Sequence, residues 1–220
     1  MEVSYGRSRV YDNHNLIRLP DGVVCNGNLV NEIFGEDALE INETILARSR
    51  APNRELLSNT QLLDRETDQV VEEHDDLVEE VLRRTPHGFP PHILNLKVGA
   101  LVMLLKNWSF ADGLCNRTRL TVRHINNHSV RCSVLNGPLQ GHEYVFCRTE
   151  FRSSLTEAGT RIRRFQFPFR LAFAMTINKS QGQTFNRVGL LLRTTVFSHG
   201  QLYVALSRVR NFDSIRILVA

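Results

Sequence analysis

The sequence predicts an α/β fold with an antiparallel β segment set inside it. Three observations carry this. Arg170 to Arg208 reads as helix, strand, helix, with polar residues collected at the turns. Val188–Leu192 and Ser214–Val219 are short, nearly continuous apolar runs, the pattern of strands buried on both faces of a parallel sheet. Residues 94–151 instead alternate with a period of two and break at turn residues.

In the C-terminal run, Leu171, Ala174 and Met175 sit at helical spacing and predict a helix from Leu171 to Gln181. Gly182 follows, where a glycine stops a helix in a left-handed conformation, and Lys179 favours the negative pole of that helix. Ser198 can cap a second helix from His199 to Arg210, with Leu202, Leu206 and Val209 as its buried stripe. Gln201 and Arg208, seven residues apart, would share a face of it.

The rest of the chain is less regular. Residues 1–43 form a lead-in with turn residues Pro20, Asp21, Gly22 and Asn26, and Leu29–Phe34 allows one or two helical turns. Thr44–Ala47 reads as a short strand. Asp64–Glu80 is acidic and Asp75–Arg84 suits a helix; a solvated face explains these carboxylates better than a metal site. Pro86, Gly88, Pro90 and Pro91 break the chain into a loop. Within 94–151, Thr121, Arg123 and Ile125 alternate with Val122 and His124, and Val130, Cys132 and Val134 with Arg131 and Ser133, predicting a small antiparallel barrel or meander. Trp108 and Phe110 either stack on bases or cover the barrel core. Arg161, Arg163 and Arg164, with Phe165 and Phe167 opposite, either line a nucleic-acid path or form a charged outer face.

The net charge of +4 is unevenly spread: from Arg161 onward ten Lys or Arg face one acidic residue, so this stretch carries +9 and the remainder −5. That asymmetry suits a phosphate-rich partner or a solvated surface. Cys25, Cys115, Cys132 and Cys147 form no CxxC pair and no zinc spacing, so free thiols in a reducing compartment are expected. No apolar run is long enough to span a bilayer and MEVSYGRSRV is no signal peptide, so the expectation is a soluble, intracellular protein without a membrane partner; the nucleus is the expected compartment.

TINKSQGQT followed by HGQLYVALSRVR resembles motifs V and VI of the PIF-one-like DNA helicases of superfamily one, in a spelling closest to helicases of Helitron transposons. The family more often has histidine at Asn178. LKVGA, MLLKN and GLCN–TRL are also family-like, with glycine usual where Arg117 stands; the departure either strains a turn or adds a charge near DNA. The resemblance covers residues 44–220. It implies a RecA-like second motor domain (44–93 and 152–220), a parallel sheet with helices on both faces, opened by the Thr44–Ala47 strand and a variant turn at SRAPNRELLSN. A small β-barrel (94–151) is inserted in it.

It also implies the site. Arg208 would be an arginine finger on the γ-phosphate, the alternative being an interdomain salt bridge. Gln201 and Tyr203 would position it, Gly182 would let backbone approach phosphate, and Thr184 would face the ribose. Thr176, Asn178, Lys179 and Ser180 would meet the backbone of single-stranded DNA. No glycine precedes a lysine, so there is no GxxxxGK[ST] phosphate cradle, and no apolar strand ends in the Asp–Glu pair that holds magnesium. The expected protein is thus the C-terminal part of a 5′–3′ helicase. The complete enzyme binds ATP and Mg; here the site is incomplete, with the first motor domain supplied elsewhere, for instance by a separate chain. A non-catalytic nucleic-acid-binding module and a transposon remnant are the alternatives.

Overall fold

The computed structural model describes residues 9–12, 15–18, 35–64, 67–70, 85–86, 88–153, 161–192 and 200–219. Helical turns at Leu29–Phe34, the helix at Asp75–Arg84 and the Ser198 cap lie outside them. The chain divides into two compact units, residues 1–45 with 173–220, and residues 46–172.

The first unit begins with an antiparallel hairpin of β1 (Arg9–Asp12) and β2 (Asn15–Arg18), in register from Arg9↔Arg18 to Asp12↔Asn15. Helix α1 (Gly35–Arg48) follows and runs across the division at Ile45. Ala38, Asn42 and Leu46 are buried at four-residue intervals, so the helix lays one stripe inward. Thr44–Ala47 is therefore the end of a helix, not a strand. Its Ile45–Leu46 pair is too short a window to separate the two periods. The Asn42 carboxamide clasps the backbone of Ala174: Nδ2 donates to Ala174 O and Oδ1 accepts from Ala174 N, both at 2.9 Å.

The second unit is antiparallel throughout. β3 (Arg54–Leu57) pairs with β5 (Ile93–Leu96). β4 (Asn59–Leu63) edges a sheet in the order β10 (Thr149–Arg152), β11 (Arg161–Gln166), β4. Five further strands run in the order β12 (Phe169–Leu171), β6 (Leu101–Leu104), β7 (Arg119–Ile125), β8 (Ser129–Val134), β9 (Glu143–Cys147). A flat ladder of five strands would hold its outer strands roughly 19 Å apart. Here Phe146 on β9 and Phe169 on β12 meet edge to face with centroids 5.1 Å apart, so the sheet is strongly curled around its apolar side. Trp108 lies against Phe146 at 5.1 Å, covering this core, while Phe110 is exposed.

The alternation holds on β8, where Val130, Cys132 and Val134 point inward and burial pushes the Cys132 thiol up to about 12. On β7 a bulge between Val122 and His124 shifts it. Arg123 and His124 both face out and Ile125 rejoins Leu120 and Val122 on the buried side, not Thr121 and Arg123 as strict alternation predicts.

Two further expectations fail at the end of this unit. Leu171, the expected start of a helix, instead ends the strand Phe169–Leu171: Phe169 pairs with Leu104 and Leu171 with Val102, and Ala172 N donates to Leu101 O. The open edge of β6 supplies backbone partners that override the helical spacing. On β11, Ile162, Arg164 and Gln166 face inward and Arg161, Arg163 and Phe165 outward, so Arg164 leaves the group of surface arginines and Phe165 joins their face instead of the opposite one. Arg164 is fully buried; its Nε donates to Thr60 Oγ1 (2.9 Å) and Nη1 to Pro90 O (3.0 Å). Arg170 donates to Phe89 O (2.7 Å) and Pro86 O (3.2 Å). The two cations thus clamp the proline loop by its carbonyls. Burial, then the charge of Arg170, holds the Arg164 guanidinium down to about 10.

The second part of the first unit contains α2 (Ile177–Ser180), β13 (Val188–Leu192), α3 (Gln201–Leu206), a 3₁₀ turn (Phe212–Ser214) and β14 (Ile215–Val219). β13 and β14 pair in parallel from Val188↔Ile215 to Leu192↔Val219. Leu190, Leu202, Ala205, Ile215 and Ile217 form the core between sheet and helix.

Arg117 has φ +74°, a left-handed conformation that costs a side-chain-bearing residue about 1–2 kcal/mol. Arg117→Gly should therefore stabilise the chain by about 0.5–1 kcal/mol, part of the relief being lost to glycine's greater unfolded freedom; thermal unfolding should show a rise of about 2 °C. His92 has its Nδ1 2.7 Å from Ser58 Oγ, and burial, then the charge of Arg164, lowers its pKa below 6.5. The unfolded chain then takes up this proton before the folded one, so acidification past 6.5 costs stability. Urea unfolding at about pH 7.5 and about pH 5.5 should show a smaller loss for His92→Gln than for the parent.

Candidate functional site

The polar residues of the C-terminal run gather where α2 turns toward β13. Thr176, extended at φ −74° and ψ 147°, opens a single helical turn, and its carbonyl accepts from Lys179 N (2.8 Å) and Ser180 N (3.2 Å). The helix predicted over Leu171–Gln181 is thus only four residues long. Gln183 N closes onto Ser180 O (3.0 Å) and Gln183 Nε2 onto Lys179 O (3.2 Å). Gly182 sits between them at φ +80°, where an added side chain would be strained although the space is open.

The second helix is shorter than its apolar stripe suggests. Gly200, at φ +86°, starts it and Ser207 ends it, so Arg208 lies past the last helical turn and does not share a helix face with Gln201. Its guanidinium folds back instead. Nε donates to Val204 O (2.7 Å), Nη2 to Ser207 Oγ (2.8 Å), and Nη1 to Gln183 O (3.0 Å) and Ser180 O (3.4 Å). Phe185 N donates to Arg208 O at 2.8 Å, and Phe185 and Val209 form a parallel bridge. One residue therefore ties the end of α3 to the turn after α2, through side chain and backbone together.

Of the residues singled out in the sequence, the structure brings Ser180, Gly182 and Arg208 into one corner. Asn178, Gly182 and Thr184 are exposed, Thr176 and Lys179 half-buried. Ser180 is buried and its hydroxyl donates to Ile177 O (2.7 Å), so it packs the turn and does not face outward. Tyr203 is 75% exposed and Gln201 half-exposed at the start of α3; the acceptors that position Arg208 are Val204, Gln183, Ser180 and Ser207. Three of these act through backbone carbonyls, which no residue type announces. Among the described residues no three His, Cys, Asp or Glu converge. No helix among them is long and apolar enough to cross a membrane.

Residues 85–125 match the family model of the DNA helicase Pif1 2B domain. The human ATP-dependent DNA helicase PIF1 is 38% identical over 133 residues, covering 57% of this chain and 19% of that protein.

The chain is related to the Pif1 helicases.

It spans about a fifth of the length of the vertebrate Pif1 proteins it matches, each covered to 19%. Bacteroides Pif1 bound to ssDNA superposes with a TM-score of 0.61 at 25% identity, over 89% of this chain and 41% of that one. Bacteroides Pif1 in complex with ADP-AlF3 and ssDNA superposes with a TM-score of 0.58 at 26% identity, over 86% of this chain and 39% of that one.

Arg208→Ala removes four donor contacts and frees the end of α3 from the turn. It should destabilise the chain by about 1–3 kcal/mol, read by urea or thermal unfolding. Arg208→Lys should recover only part of this, since one ammonium cannot span acceptors spread along two segments.

Proposed function

We propose that this chain is the C-terminal region of an ATP-dependent 5′–3′ DNA helicase of the Pif1 type, close to those of Helitron transposons and acting in the nucleus. Residues 94–151 are its inserted barrel; 44–93 and 152–220 belong to its second motor domain. The observation that carries the reading is the bond from Arg208 Nη1 to Gln183 O at 3.0 Å, which joins the arginine to the Thr176–Thr184 turn.

A helicase motor needs a cation that meets the γ-phosphate as charge builds there, and a grip on DNA that answers to it. Arg208 is suited to the first task. Its planar fork already makes directed bonds to carbonyl oxygens and can exchange them for charge-assisted bonds to phosphate. Thr176, Asn178 and Lys179 are suited to the second, offering hydroxyl, amide and ammonium to a DNA backbone without reading its sequence. Gly182 and Thr184, on the exposed side, leave room for the nucleotide, with Gln201 and Tyr203 beside it at the start of α3. Releasing Arg208 from Gln183 frees the same turn that holds Lys179, which is a direct physical coupling of the two ligands. The phosphate cradle and the carboxylates for Mg come from residues outside this sequence, either in a longer chain or on a separate one.

Lys179→Ala should weaken binding of a fluorescent oligo-dT about threefold to tenfold at about 50 mM salt and reduce the salt slope by about 0.7, the loss of one single-strand phosphate contact. Unchanged affinity would sink the DNA assignment. ATP turnover by the purified chain, abolished by Arg208→Ala, would show that the cradle is not missing. The sequence has no GxxxxGK[ST] turn, which favours one other reading, a DNA-binding module without a motor. That module would keep its Lys179 dependence yet gain no ATPase when mixed with a Pif1 domain that carries the phosphate cradle.

A further inference from the structure

The outer face of the β10–β11–β4 sheet takes no part in the site above. Its register sets Arg152 opposite Arg163 and Phe165 between Glu150 and Asn59. Arg161, Arg163 and Phe165 alternate with the buried Ile162, Arg164 and Gln166, so all three share this outer face. Phe165 is 47% exposed on it.

Among the described residues the charges on this face are not matched. Asp68 accepts from Arg152 Nη1 (2.8 Å) and Arg161 Nη1 (3.4 Å), and Glu150 accepts from Arg152 Nε. Both carboxylates are thereby spent on Arg152 and Arg161. Arg163 donates through Nε and Nη2 to the neutral Gln61 Oε1 and has no acidic partner among the described residues. Arg163 is thus left, opposite an already paired Arg152, as the cation of this face that a bound anion would complete. Arg161 and Arg163 stand two residues apart on one strand, about 6.7 Å, close to the phosphate step of an extended single strand. Phe165, next in the same row, offers a ring face to a base.

The geometry points to a second single-stranded nucleic-acid contact surface on this sheet, in which Arg163, with Arg152 and Arg161, holds consecutive phosphates and Phe165 stacks on a base. Duplex DNA keeps its bases stacked within the helix and cannot use Phe165, and an acidic peptide would use the arginines alone. The two assignments rest on different residues, so either can fail without the other.

The test is fluorescence-anisotropy binding of the whole chain to oligo-dT of about 15 nucleotides, with duplex DNA and poly-glutamate as competitors. Phe165→Ala and Arg163→Ala should each weaken oligo-dT binding roughly fivefold or more, and Phe165→Trp should retain affinity and gain emission that oligo-dT quenches. Both side chains are at the surface, and thermal unfolding checks each variant; Phe165→Leu, which keeps bulk without a ring, replaces the alanine variant if that one unfolds. Affinity within about twofold of the parent for both Phe165→Ala and Arg163→Ala would overturn the proposal. So would binding that Arg163→Ala weakens and Phe165→Ala does not, or competition by duplex or poly-glutamate equal to that of oligo-dT.

Discussion

A single guanidinium holds the corner on which the functional reading rests. Arg208 spreads its donors over Val204, Ser207, Gln183 and Ser180, while its own carbonyl takes Phe185 N. Without it, the single turn of α2 and the six residues of α3 are each too short to persist alone. The apolar core beneath, from Leu190 to Ile217, supplies the driving force, but it does not specify how the turn and the helix end face each other. Directional bonds to carbonyls do. Arginine suits this tie better than lysine, because its planar fork reaches acceptors on two segments at once.

The second unit solves a different problem with the same side chain. Arg164 has no exposed surface, and burying a charge is costly unless its donors are met. The proline loop meets them with main-chain carbonyls at Pro90, and for Arg170 at Phe89 and Pro86. Gln166 extends the arrangement: Nε2 donates to Leu56 O and His92 O, and Oε1 accepts from Phe167 N and from Arg148 Nη1. A loop rich in proline has few N–H groups and many free carbonyls, so a cationic neighbour suits it chemically.

The strands with plain patterns were legible: Val188–Leu192, Ile215–Val219 and the inward row of β8 lie where their apolar residues put them. Helix limits were not. Leu171, Ala174 and Met175 have helical spacing, yet the edge of β6 captures Phe169–Leu171, a partner separated by about 65 residues that no local window contains. Thr44–Ala47 misled in the opposite direction, since its burial stripe begins at Ala38 and only the whole of α1 displays it. At the site, Arg208, Gly182 and Lys179 stood out by type. The carbonyls that anchor Arg208 did not, because every residue has one. Arg164 was misplaced with Arg161 and Arg163 because charge suggested the surface where the period of two assigned it to the interior.

The clasp of Asn42 on Ala174 reads main chain and ignores the side chain it touches. Position 42 needs a carboxamide of that length: aspartate would lose the donor, and glutamine would overshoot. Position 174 needs only to be small enough to stay buried. Drift across related sequences should therefore be lopsided, with alanine yielding to glycine or serine at one end of the clasp while the amide at the other stays fixed. A strict residue facing a permissive one leaves no correlated signal for pairwise sequence comparison, so a contact of this kind stays hidden until coordinates reveal it.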